Sequence, residues 1–103
     1  MGFDELFRQA VRSGLGDTLG EEVLAAFLYH SHLDLNKAEP NDIHKSLLAI
    51  FREDGTKILE MIIVKRLFEK VGLRRPNDES FEAMVNQSRQ VYERNNSKVK
   101  SGK

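Results

Sequence analysis

The stretch DGTKILEMIIVKRLFEKVG, residues 54–72, decides between an all-helical chain and a mixed one. Its centre, Ile58 to Val64, is a run of apolar and β-branched residues, the composition of a buried strand. Its length and charges favour a helix. Leu59, Ile62, Ile63 and Leu67 recur at helical spacing, and Lys57, Glu60, Lys65 and Arg66 flank or interrupt the run. A helix from Thr56 to about Val71 is expected, with a strand over Ile58–Val64 as the alternative. Ile58, Met61, Val64 and Phe68 lie on adjoining positions, so apolar residues cover most of its circumference. Asp54-Gly55 reads as the stop of the helix before it, Thr56 as its cap and Gly72 as its own stop.

The same punctuation divides the rest of the chain. Phe3, Leu6, Phe7, Ala10 and Val11 form one stripe of a first helix ending at Gly14 and Gly16. Asp4 and Glu5 favour its N-terminal dipole, with Arg8 and Arg12 placed for i, i+4 pairing. Thr18 to Glu21 has the form of a capping box opening a second helix that fades near His32. That helix is apolar over more than a stripe: Leu19, Val23, Ala26 and Phe27, widened by Leu24 and Leu28. A loop over 34–40 closes on Pro40, and a third helix starts at Asn41 or Asp42 with Ile43, Leu47, Ile50 and Phe51 inward. After a turn at 74–78, a fifth helix from about Glu79 to Arg94 carries Phe81, Met84, Val85, Ser88, Val91 and Tyr92. The expected fold is all-α: a compact, dimeric five-helix bundle, with one domain over 1–95 and a mobile basic tail over 96–103.

Composition bounds the class. The chain has 103 residues, 40% hydrophobic and 31% charged, enough for one domain and too well supplied with apolar residues for a disordered chain. Without cysteine it can form no disulfide, thiolate metal site or cysteine nucleophile. The acidic N-terminus does not read as a signal peptide, and Leu6 stands where a myristoylation signal needs Ser or Thr. The longest apolar stretch, Met61 to Val64, is far too short to span a bilayer, so a cytoplasmic protein with no membrane partner is expected. Formal net charge is zero, yet residues 1–40 hold seven acids and three bases while 41–103 hold nine acids and thirteen bases. Such a dipolar chain suits association with itself or a weakly basic surface; a solvated, salt-bridged surface is the plainer explanation.

Candidate chemistry is sparse. His30 and His32 are two residues apart and so fall on different sides of a helix, while His44 is in another helix. A zinc or iron site, completed by Asp34, Glu39 or Asp42, would need the fold to bring all three together. Otherwise His30 is a partly buried helix residue and the other two lie on the surface. Glu60, an acid between Leu59 and Met61, is expected to snorkel or to pair with Lys57 or Arg66 rather than to catalyse. Ser31 and Ser46 have no neighbouring base, and Gly14, Gly16 and Gly20 follow no strand, so neither a nucleophile motif nor a dinucleotide loop is present. No catalytic residue, metal ligand or cofactor is assigned, and the chain is expected not to be an enzyme.

Two binding surfaces remain. Lys65, Arg66, Lys70, Arg74 and Arg75, followed by Lys98, Lys100 and Lys103 in the tail, could contact phosphates or an acidic partner. The paired third and fourth helices share the outline of a helix-turn-helix, but the fourth is too apolar to offer a face to base edges, and the pI near 6.8 is low for a nucleic-acid binder. The excess apolar surface points to protein association, with core and dimer contacts placed at Phe27, Ile62, Ile63 and Phe68.

Leu19-Gly20-Glu21-Glu22-Val23-Leu24 leading to Tyr29, then Pro40, Leu47 to Phe51, Gly55 and Leu59 to Ile63, resembles a small all-helical archaeal domain family without an assigned activity. Its members look like output or stand-alone modules of signalling proteins. The resemblance covers about residues 3–73 and implies a regulatory or interaction module, working with itself or another signalling protein; it carries no catalytic residue onto this chain. Nucleic-acid binding through the basic end of helix four and the tail is the alternative, and a metal protein or enzyme comes third.

Overall fold

The computed structural model describes residues 2–74 and 79–101, with side chains as far as Asn95. Every regular element among them is helical: α1 Phe3–Leu19, α2 Glu21–Ser31, α3 Pro40–Val71 and α4 Phe81–Ser101. The all-α expectation holds, and Ile58–Val64 is helix. The count is four, not five, because the third and fourth expected helices form one element. A kink divides α3 into two arms at Arg52 (φ 61°, ψ −171°), three residues before the expected stop at Gly55.

The other boundaries moved for physical reasons. Gly14 and Gly16 do not end α1; they are buried inside it. A Cβ at Gly14 would lie 3.4 Å from side-chain atoms of both Ile62 and Ile63, so the missing side chain lets α1 and α3 approach closely. The Thr18 hydroxyl donates to the Gly14 carbonyl at 2.8 Å, so no capping box forms there. Gly20, at φ 89°, turns the chain between α1 and α2 instead. His32 ends α2 in the left-handed conformation, with the Leu33 N–H donating to the Leu28 carbonyl across the turn. Pro40 opens α3 rather than closing the loop before it, and the Glu39 N–H donates to Asp42 at 3.0 Å. Gly72 stops α3 as expected. Ser80 caps α4 through the Ala83 N–H at 3.1 Å.

α3 is the centre of the bundle, flanked by α1 and α4; α2 packs mainly on α1. Phe3, Phe7, Ala10, Val11 and Leu15 from α1 meet Leu59, Ile63, Val64, Leu67 and Phe68 from the second arm of α3, with Phe81, Met84 and Val85 closing the core from α4. Each fully buried large side chain stabilises by roughly 1.5–3 kcal/mol relative to exposure. Phe3 packs on Tyr92 with ring centroids 6.0 Å apart and lies under the Arg89 guanidinium at 4.7 Å. Asp4 pairs with that same Arg89 at 3.4 Å instead of with Arg8. α4 continues to Ser101, so the stretch expected to be a tail from 96 is helical as far as that residue; its side chains and residues 102–103 lie outside the described residues.

Candidate functional site

Residues 44 and 60 would stand about 24 Å apart on a straight helix. The kink at Arg52 folds the two arms of α3 toward each other, and His44 Nδ1 meets Glu60 Oε2 at 2.5 Å. An ionised carboxylate only accepts, so with Glu60 ionised the imidazole donates through Nδ1, and Nε2 is the ring nitrogen left for another group. Glu60 is buried; that desolvation raises its pKa above the usual 4.5, with the hydrogen bond and charge of His44 pulling the other way. Thr56, one turn before Glu60, is buried with no hydrogen-bond partner for its hydroxyl among the described residues. A helical threonine commonly donates to the carbonyl four residues back, which here belongs to Arg52, the residue with non-helical backbone angles. Thr56 is therefore not the cap its sequence position suggests.

The pair stands beside an open groove of about 920 Å³ between the second arm of α3 and the start of α4. Its walls are Ile58, Met61, Ile62, Phe81 and Met84; Lys57, Lys65, Glu79 and Ser80 supply the polar groups. Sequence reasoning singled out Glu60 but gave it Lys57 or Arg66 as partner. Its actual partner is sixteen residues away and becomes legible only with the kink. Arg66 pairs with Asp17 of α1 at 2.6 Å. His30 is exposed, edge-on to Tyr29 at 5.4 Å, rather than partly buried, and His32 is exposed at the end of α2. Among the described residues no three His, Asp or Glu side chains converge to hold a metal ion.

The expected phosphate-contact residues are only partly available. Lys65, Lys70 and Arg74 are exposed, Arg66 is held by Asp17, and Arg75 lies outside the described residues. Asp17 and Glu69 share a hollow with Lys65, Arg66 and Lys70, so the charge there is mixed. Of the residues expected to make core and dimer contacts, Phe27, Ile63 and Phe68 are buried in the core of the single chain, and Ile62 of α3 is half-buried with its side chain against Gly14 of α1. The apolar surface left outside is elsewhere: Val23 (48% exposed), Tyr29 (77%), Leu48 (38%), Ile50 (45%), Ile58 (61%) and Met61 (43%). No described helix is long and apolar enough to cross a membrane. Comparison of the chain with known protein families, curated proteins and solved structures finds no match.

Proposed function

We propose that the chain is a non-enzymatic regulatory or protein-interaction module of the signalling-output type, cytoplasmic and working as a homodimer. The observation that carries the association is the outer face of α2. Leu24 and Phe27 point into the bundle, while Val23, Ala25, Ala26 and Tyr29 are exposed. A cluster of apolar residues on a helix face turned to water favours a partner that covers it. The signalling character rests on the sequence resemblance over residues 3–73.

The outer face is self-complementary. Two α2 helices crossing antiparallel about Ala26 place Val23 of each opposite Tyr29 of the other, and Glu22 opposite His30. The alanines allow close approach, and the acid meets a partner able to carry positive charge. A dimer of this form needs no residue from the interior.

The absence of native cysteine makes the test direct. Ala26→Cys places one thiol at the proposed two-fold axis and is expected to form a disulfide-linked dimer under mild oxidation, while Glu93→Cys, exposed on α4, is expected to form no disulfide cross-link. Light scattering of the unmodified chain is expected to give twice the monomer mass. A strict monomer at high concentration overturns the homodimer; a dimer with no Ala26→Cys cross-link overturns the α2 interface.

A further inference from the structure

We propose that the groove between the second arm of α3 and α4 binds a small amphipathic acid. Its apolar body lies against Ile58, Met61 and Met84, its carboxylate reaches Lys57 or Lys65, and a hydroxyl donates to His44 Nε2.

Three independent features converge on this class of ligand. The first is shape and polarity: about 920 Å³ of open space with an apolar wall, two of whose residues, Ile58 and Met61, are left exposed by the rest of the chain. A concave apolar site with a few convergent polar groups is the usual form of a small-molecule site. The second is the charge balance. Glu60 is occupied by His44, and Glu79 already has an interaction of its own, whereas Lys57 and Lys65 make no ion pair or hydrogen bond among the described residues. Among the described residues the charged groups of the groove left without a partner are these two lysines, which suit an anion. The third is the oriented imidazole. Glu60 fixes the ring through Nδ1, Nε2 has no partner among the described residues, and the His44 side chain is 43% exposed. A ring so held presents a fixed acceptor to a hydroxyl of the ligand. The strained backbone at Arg52 is what brings this imidazole to the groove, and such strain concentrates at ligand sites. This inference is independent of the homodimer, since α2 contributes nothing to the groove.

The test uses 6-hydroxy-2-naphthoate, which has an aromatic body, one carboxylate and one hydroxyl, titrated into the 15N-labelled full chain. Saturable one-to-one shifts are expected at Ile58, Met61, Phe81, Met84 and His44. Lys57→Glu with Lys65→Glu, both exposed and harmless to the core, are expected to weaken binding by about tenfold together. 2-Naphthoate, lacking the hydroxyl, is expected to bind about three- to tenfold more weakly to the native chain, and to match the hydroxylated acid in His44→Ala. Absence of saturable shifts, shifts centred on the outer face of α2, or equal binding of the cation 2-naphthylmethylammonium would each overturn the proposal.

Discussion

Arg52 takes backbone angles that few residues other than glycine adopt, and the cost of such a conformation is of order 1–3 kcal/mol. The side chain is exposed, so the residue contributes little to packing at that point. Arg52→Gly removes the steric strain and adds about 0.5–1 kcal/mol of chain entropy to be lost on folding. The net expectation is a gain of roughly 1 kcal/mol, read as a higher urea midpoint at unchanged slope. Arg52→Ala keeps the Cβ and so the strain, and its midpoint should stay near the native one. A glycine variant less stable than the native chain would show that the arginine side chain supports the kink in a way its exposure does not suggest. Sequence patterning placed the break in α3 at Asp54-Gly55 because glycine is the usual punctuation there. An arginine in this conformation carries no local signal, since its angles are imposed by packing of the two arms and not by its own preference.

At the scale of the element, α3 holds a buried acid whose partner lies across its own kink. Burial is the largest influence on Glu60 and raises its pKa above 4.5; His44 offsets part of this. The folded chain therefore binds this proton more tightly than the unfolded chain. Stability from this group is greatest below the usual carboxylate value and falls as pH rises through the raised folded value. Lys57, Lys65 and Glu79 line the same groove, and His44 touches Glu60 directly. Glu60→Gln abolishes the titration, so its stability relative to the native chain should increase as pH rises from the usual carboxylate value through the raised folded one. Urea midpoints across that range check the sign, and a relative stability that falls with pH would contradict burial as the dominant influence. The helical stripes of α1, the second arm of α3 and α4 were legible from apolar spacing alone, because each buries one face against its neighbours. The His44–Glu60 pair was not: spacing reports neighbours on one continuous helix, and this contact depends on a fold-back. The glycines of α1 misled for a related reason, since a glycine that permits close helix approach and one that ends a helix look alike in sequence.

For the whole molecule, the question is what covers the apolar residues that folding leaves outside. Exposed apolar residues do lie on the two helices the sequence singled out, at Val23 and Tyr29 and at Ile58 and Met61, while Phe27, Ile63 and Phe68, expected to make core and dimer contacts, are taken up by the core. If two copies cover each other through α2, stability must depend on protein concentration. The thermal midpoint is expected to rise on tenfold concentration, and Tyr29→Glu, at a position 77% exposed, should remove that dependence without lowering the midpoint of the dilute chain. A concentration-independent midpoint for the native chain would count against dimerisation.

The clasp between the first and last helices bears on the order in which the fold assembles. Phe3 and Tyr92 are 89 positions apart, and Arg89 joins the same cluster through Asp4. The entropy of closing a loop grows with its length, so this joint costs more than the turn between α1 and α2 or the fold-back within α3. It becomes favourable once α3 has formed and offers α1 and α4 a shared surface. The α1–α4 joint is therefore expected to close late in folding, and amide exchange at Ala10 and Val11 of α1 is expected to be faster than at the centre of α3.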